Sequence, residues 1–192
     1  FLDSKLGYQM TEKWSGYFSL NYLSQFAEGY RFNDDDTKSL ISKFMAPGYL
    51  TSSIGFEFKP NKEFFLRIGP ISPRFTFVTD DQIIVNVPSN YGVPPGETVR
   101  VEWLALQVFA NLDKNITENL NLKSRYAMFA NYETLSLENI DHRLDVTITA
   151  KITNIINVTL TGISLYDIDQ DPGVQYSQGL ALGILYKVGG KK

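Results

Sequence analysis

The stretch HRLDVTITAKI, from His142 to Ile152, decides the fold. Its even-numbered residues, among them Leu144 and Ile148, are apolar or aromatic, whereas its odd-numbered residues are charged or carry a hydroxyl group. Successive side chains of a β-strand point to opposite faces, so this strand has one apolar and one polar side. An α-helix would place its apolar residues every three or four positions, and the pattern therefore predicts a strand.

Similar alternation recurs along the chain and predicts nine strands. Their bounds are Asp3–Met10, Ser15–Arg31, Phe44–Lys59, Glu63–Phe77, Val99–Leu112, Leu120–Glu133, Asp141–Thr153, Ile156–Tyr166 and Gln175–Val188. Several exceed the roughly 5 or 6 residues of an average strand and reach the roughly 9 to 11 residues that cross a bilayer at a tilt. Strand length therefore favours a membrane-spanning sheet.

The connections between these strands are alternately short and long. The short ones are Thr11–Lys13, Pro60–Lys62, Asp113–Asn119 and Asn154–Ile155, and the long ones are Phe32–Lys43, Val78–Thr98, Thr134–Ile140 and Asp167–Val174. Bacterial outer-membrane barrels place tight turns in the periplasm and longer loops outside the cell. The sequence thus predicts an all-β, antiparallel, up-and-down transmembrane β-barrel in the outer membrane of a Gram-negative bacterium, with long loops extracellular and tight turns periplasmic.

The predicted number of strands is odd, and an odd number leaves the first and last strands parallel, whereas closed bacterial barrels usually have an even number. We therefore expect that further strands precede Phe1, or that another segment or chain completes the closure.

Composition narrows the classes of protein that the chain can belong to. Its 192 residues contain no linker and no break in composition, which predicts one domain over residues 1–192. A net charge of -3 and the lack of a basic patch with aromatics exclude nucleic acid as a partner. The mean hydropathy of -0.15 is compatible with a barrel, because every second residue of a barrel strand faces water. The chain has no cysteine, so thiolate metal sites are excluded.

Strand parity assigns residues to the two faces of the barrel. The charged residues predicted to face the lumen are Glu57, Arg67, Arg100, Glu102, Lys123, Arg125, Arg143 and Asp145. The residues predicted to face lipid are Leu120, Leu122, Leu144, Val146, Ile148, Leu180, Leu182 and Ile184. The aromatics predicted to lie at the membrane interfaces are Trp14, Trp103, Tyr132, Tyr166 and Tyr186. Because the lumen set mixes both signs of charge, it favours ion pairs that fill the lumen over an open channel.

The long connections carry most of the acidic residues, which predicts a solvated acidic rim or a bridge through divalent cations to lipopolysaccharide. A short helix is expected at Asp35–Lys43, and a kink or bulge at Pro70 and Pro73, because proline lacks the N–H group that a strand ladder needs. Residues 78–98 form the longest connection and are the best candidate for a plug, lid or partner contact.

Nothing in the sequence predicts catalysis or a cofactor. His142 is the only histidine, and its neighbours Asp141 and Asp145 point to the opposite face of the strand, so a hydrolytic site at His142 is disfavoured. Asp167, Asp169 and Asp171 resemble the start of a calcium loop, but the following glycine comes one position late and no glutamate closes the loop. A turn rich in Asp, Pro and Gly explains the same residues.

Several segments resemble the outer-membrane β-barrel family of Bacteroidetes filed as domain of unknown function 3078. They are FMAPGYL (residues 44–50), IGFEFKPN (54–61), FLRIGPISPRFTFV (65–78), LYDID (165–169) and GILYK (183–187). The resemblance covers residues 5–187 and implies a location and a fold, since the family has no assigned activity. It also implies about 12 strands in the complete barrel, of which this chain resembles the C-terminal three quarters.

Four functions remain open from the sequence. The first is a non-catalytic scaffold or accessory subunit of an envelope complex, whose partners are outer-membrane lipid, lipopolysaccharide and other envelope proteins. The second is a porin-like channel for small solutes. The third is a barrel enzyme that hydrolyses lipid or peptide through His142. The fourth is a soluble lipocalin-like binding barrel, in which the apolar faces would point inward.

Overall fold

The computed structural model describes residues 2–34 and 36–184 of the chain. Within these residues the protein is all-β apart from one short helix and two 3₁₀ turns. The elements are β1 (Leu2–Gln9), β2 (Trp14–Ser24), β3 (Gly29–Phe32), β4 (Lys38–Ser42), β5 (Gly48–Phe58), β6 (Phe64–Ile71), β7 (Arg74–Phe77), α1 (Asp81–Asn86), β8 (Val99–Glu102), β9 (Ala105–Thr117), β10 (Leu120–Asn131), β11 (Ile140–Lys151), β12 (Ile156–Asp167) and β13 (Asp171–Ile184).

The main sheet is antiparallel and up-and-down, as the alternation predicts. Its strand order is β1-β2-β5-β6-β9-β10-β11-β12-β13, and every neighbouring pair is antiparallel. Strand β7 pairs with β5 and carries β8 on its other side. In the part of the chain that the structure describes, β1 and β13 each pair with one neighbour, so the sheet is open between them. Eight successive reversals make these two edge strands run in the same direction.

The sheet has a turn end and a loop end. The turn end holds the four connections at residues 10–13, 59–63, 118–119 and 152–155. The loop end holds residues 25–47, 72–104 and 132–139, together with the connection 168–170. Two predicted connections are wrong. The expected loop Asp167–Val174 is a three-residue turn because β13 already begins at Asp171, and the expected connection Asp113–Asn119 belongs mostly to β9, which continues to Thr117.

The helix lies in a different loop from the predicted one. Residues 38–42, within the expected helix Asp35–Lys43, form β4, which pairs with β3 in a separate hairpin. The helix observed is α1, in the next long connection, where the Asp80 side chain accepts hydrogen bonds from the backbone N–H groups of Gln82 and Ile83. These hydrogen bonds satisfy N–H groups that have no partner inside the helix, which favours helix formation at that position.

The prolines interrupt the fourth predicted strand, as expected. The chain leaves β6 at Ile71 and resumes as β7 at Arg74, and the register against β5 shifts nearby between Ile54 and Phe56. At this irregularity the two strands approach closely, since a Cβ atom on Gly55 would overlap the carbonyl oxygen of Ile68. Glycine is therefore required at residue 55 for the sheet to bend here.

A conventional hydrophobic core forms only in the loops, among the residues described. We name residues 29–46 and 78–98 together the cap. Its buried side chains are Ala46, Val78, Ile83, Val87, Tyr91 and Val93, and Leu40, Ile41 and Ile84 pack against them. The Tyr91 hydroxyl donates a hydrogen bond of 2.5 Å to the carbonyl oxygen of Ile41, and Asn86 donates one of 2.9 Å to that of Leu40. The hairpin and the longest loop thus fold as one unit at the loop end.

Candidate functional site

The polar parity of the strands lines a central cavity of about 710 Å³. Every strand in the main order of the sheet contributes to its walls. Strand β13 does so only through Gln175. Five of the eight residues predicted to face the lumen line this cavity: Arg67, Lys123, Arg125, Arg143 and Asp145. We call this polar side of the sheet the inner face and the opposite side the outer face.

Oppositely charged side chains pair on the wall formed by β1, β5 and β6. Glu57, which was also predicted to face the lumen, is buried. Its carboxylate accepts hydrogen bonds from Lys5 at 2.6 Å and from Arg67 at 2.7 Å. Arg67 also reaches Asp3 at 3.3 Å and lies over the Phe65 ring at 4.8 Å. Lys5 and Asp3 were not predicted to face the lumen, although their parity on β1 matches that of the inner face. The expected pairing of lumen charges is therefore present on this wall.

The neighbouring wall, formed by β9, β10 and β11, carries looser pairs. Lys123 contacts Asp113 at 3.1 Å across β9 and β10, and Arg143 contacts Asp145 at 2.9 Å within β11. The Arg125 guanidinium lies 5.5 Å from the centre of the Phe109 ring. These pairs are more exposed than the Glu57 pairs, so each contributes little to stability.

Two arginines span the sheet at the loop end. Arg74 on β7 donates to Asp141 on β11 at 2.6 Å, and its guanidinium lies 3.3 Å from the centre of the Phe129 ring. Arg100 on β8 donates to Asp169 in the connection between β12 and β13 at 2.5 Å. Each pair joins strands that are several positions apart in the sheet, so the sheet must curve to bring them together.

Arg100 and Glu102 share the inner face with Thr76 and Arg74, their partners on β7, but they do not line the cavity. Both lie on β8, at the loop end of the sheet, and the chain breaks between β8 and β9 at Trp103 and Leu104. Glu102 accepts from Arg100 at 3.1 Å and from Asn131 at 3.0 Å. Together with the arginine pairs above, they form a charged layer between the cavity and the cap.

The cap rests directly on this charged layer. Gly92 has a φ of +76°, and a Cβ atom there would overlap the Arg100 guanidinium and the Asp169 carboxylate. Lys43 and Asp80 form an ion pair within the cap, and the hydrogen bond from Lys43 lowers the pKa of the Asp80 carboxyl group. Burial raises the pKa of Tyr91.

All eight residues predicted to face lipid lie on the outer face. Five of them are exposed although they are large and apolar, with Leu180 at 76%. They are Leu144, Ile148, Leu180, Leu182 and Ile184, while Leu120, Leu122 and Val146 are half-buried. The outer face continues over the other half of the sheet, where Leu6, Phe18, Ile54 and Phe56 are also exposed. Contact of this face with lipid stays a prediction.

The predicted interface aromatics occupy both ends of the outer face. Trp14 lies at the turn end, with its ring 4.8 Å from that of Phe58. Trp103, Tyr132 and Tyr166 lie at the loop end. The hydroxyl of Tyr132 donates to the carbonyl oxygen of Pro70 at 3.0 Å. Tyr186 lies outside the described residues.

His142 is part of the outer face, as its parity predicts. Its Nδ1 atom lies 2.8 Å from the hydroxyl of Tyr126, and the two rings stack. The acids on either side are engaged elsewhere, Asp141 with Arg74 and Asp145 with Arg143. The arrangement resembles a polar pair in an apolar surface more than a nucleophile activated by a base.

The calcium site suggested by Asp167, Asp169 and Asp171 is wrong. Asp167 accepts from Gln170 and from the backbone of Asp169, Asp169 pairs with Arg100, and Asp171 accepts from the backbone of Gly173. The three carboxylates therefore have separate partners and do not converge. Residues 2–34 and 36–184 contain no group of three or more acidic or histidine side chains that could hold a metal ion.

Comparison with other proteins adds no further assignment. No protein-family model, curated protein or solved structure matches this chain. In the part of the chain described, no helix has the length and apolar character needed to span a membrane.

Proposed function

We propose that this chain is an integral β-barrel protein of a Gram-negative outer membrane that acts as a non-catalytic scaffold or accessory subunit of an envelope complex. The observation that carries the proposal is the reversed polarity of the main sheet, in which ion pairs such as Glu57 with Arg67 face a cavity while leucines and isoleucines cover the exposed side. Water around that side would make it an unusually large apolar patch for a soluble protein. If lipid surrounds that side, its apolar side chains have no contact with water.

Strand length supports the same proposal. The nine strands in the main order of the sheet, from β1 to β13, have 8 to 14 residues, which suits a tilted crossing of a bilayer. A lipocalin-like protein is disfavoured, because such a barrel would enclose the apolar face and expose the charged one.

We also propose that the sheet closes into a complete barrel. A bilayer offers no partner to the free N–H and C=O groups of β1 and β13. Since both strands run in the same direction, antiparallel closure takes an odd number of further strands, from another segment or another chain. Three such strands would give the total of about 12 that the family resemblance implies.

A porin-like channel is the second candidate, and the polar cavity of about 710 Å³ favours it. The scaffold explains more of the structure, because the Arg74 and Arg100 pairs span the loop end and the cap lies over them. An ion-paired interior of this kind conducts poorly.

Three measurements test these functions. Protein reconstituted into vesicles should resist extraction by alkaline carbonate, and its quantitative release would contradict a membrane barrel. In planar bilayers the protein should produce no stable conductance steps, whereas regular steps at low voltage would favour the porin. Co-purification from native membranes with a stoichiometric envelope protein would identify the complex that the scaffold serves.

A further inference from the structure

The loop between β10 and β11, residues 132–139, folds toward the outer face and not over the cavity. Tyr166 occupies an outer-face position at the end of β12, since its neighbours Leu165 and Asp167 line the cavity. Its hydroxyl donates a hydrogen bond of 3.0 Å to the carbonyl oxygen of Glu138. The backbone of the loop is therefore held beside one of the predicted interface aromatics at the loop end.

The same loop is braced internally. The side chain of Asn139 donates to the carbonyl oxygen of Thr134 at 2.7 Å, and its backbone N–H donates to that of Ser136 at 3.1 Å. These bonds close a short 3₁₀ turn at residues 137–139. The turn thus presents its side chains in a fixed direction.

The side chains presented in this way are apolar. Leu137 is 87% exposed and Leu135 is 60% exposed, and both belong to the loop end of the sheet, where Trp103 and Tyr132 are also exposed. A single exposed leucine needs no explanation. Two leucines on a braced turn that is tied to an interfacial tyrosine form a surface whose polarity matches the boundary between lipid headgroups and acyl chains.

The geometry points to residues 134–139 as a membrane anchor that inserts Leu135 and Leu137 into the headgroup boundary of the bilayer. The partner is the lipid surface itself, and the inference rests on the proposed membrane location. The cap provides a contrast. Val85 on α1 is 79% exposed, yet α1 packs on the cap core through Ile83 and Ile84.

Tryptophan fluorescence tests the anchor in reconstituted vesicles. A background with Trp14→Phe and Trp103→Phe would carry one new tryptophan at a time, as Leu137→Trp, Val85→Trp or Leu160→Trp. Lipids brominated near the carbonyl groups should quench Leu137→Trp strongly, whereas aqueous iodide should quench Val85→Trp. Lipids brominated near the chain ends should quench Leu160→Trp, which lies in the middle of the outer face.

The three positions separate the possible failures. Strong iodide quenching of Leu137→Trp with Leu160→Trp still quenched by lipid would overturn the anchor and leave the barrel intact. Iodide quenching of Leu160→Trp would overturn the proposed function itself. Adding Tyr166→Phe to the Leu137→Trp protein should reduce its quenching by brominated lipid, because the hydroxyl that holds the loop is removed. Unchanged quenching would contradict the role of that bond.

Discussion

The main sheet and the cap bury opposite kinds of side chain. In the cap, Ile83, Val78 and their neighbours are enclosed, as in a protein folded in water. In the sheet, the enclosed side chains include Glu57, Ser19 and Ser53, whereas apolar side chains such as Leu160, Leu180 and Ile184 are exposed on the outer face. One chain follows both rules because, under the proposal above, its two parts are surrounded by different solvents. The arrangement of polarity therefore reports the environment of each region.

The largest contrast is expected from truncation of an apolar side chain in each region. Ile83→Ala empties space in a closed core and should destabilise the cap by about 2 to 5 kcal/mol. Hydrogen exchange of residues 78–98, measured by mass spectrometry, would register the loss. The matched variant is Leu160→Ala on the outer face, which should cost much less because lipid fills the vacated space. Equal costs at the two sites would erase the distinction between the regions.

A charge on the outer face should have the next largest effect. Leu160→Arg places a guanidinium near the middle of the proposed hydrocarbon layer and should cost about 2 to 4 kcal/mol of unfolding free energy. Urea unfolding in vesicles measures it. Val85→Arg on the exposed side of α1 is the control and should change stability by less than about 0.5 kcal/mol. A neutral Leu160→Arg would mean that water surrounds this face.

The ion pairs that hold the cap to the sheet should contribute less to stability than the two sites above. Arg100→Ala leaves Asp169 and Glu102 without their shared guanidinium and should loosen the cap by about 1 to 2 kcal/mol. Faster hydrogen exchange in residues 78–98 is the expected result. Arg143→Ala, which removes a pair within one strand, should leave exchange in the cap unchanged. If both variants behave alike, the charged layer does not hold the cap.

The smallest effect concerns the start of α1. Asp80→Ala removes the side-chain acceptor at the start of α1 and should cost about 1 kcal/mol of stability. Asp80→Asn keeps an acceptor and should destabilise the helix less. Because the pKa of Asp80 is lowered from 3.8 in the folded cap, the carboxylate stabilises the cap above pH 3.8. That contribution is lost as the pH falls through the lowered pKa. Exchange in residues 78–98 that shows no difference between wild type and Asp80→Ala at neutral pH would contradict this role.

The strands could be predicted from sequence because their pattern is local. Residues 142–152 alternate without interruption, and β11 covers residues 140–151. Inner and outer positions followed from the same parity for Arg67, Lys123, Leu144 and Ile148. Prediction failed where the alternation breaks, because the expected strand Val99–Leu112 is split at Trp103 and Leu104 into β8 and β9.

The cap and the charged layer could not be predicted, because they depend on contacts between distant parts of the chain. Arg74 and Asp141 are 67 positions apart, and nothing in either neighbourhood indicates the pair. The hairpin β3–β4 is stabilised against a loop that begins more than thirty residues later, at Val78. Parity along one strand carries no information about which strands the curvature of the sheet brings face to face.

The orientation of the outer face toward lipid can be tested by a scan of β12 with single cysteines carrying a nitroxide label, which is practical because the chain has no cysteine of its own. Labels at residues 157–162 in vesicles would be compared for collisions with oxygen, which concentrates in lipid, and with a water-soluble nickel complex. We expect high oxygen access at residues 158, 160 and 162 and low oxygen access at residues 157, 159 and 161. High nickel access at residues 158, 160 and 162 would show that the outer face lies in water and would contradict the proposed membrane location.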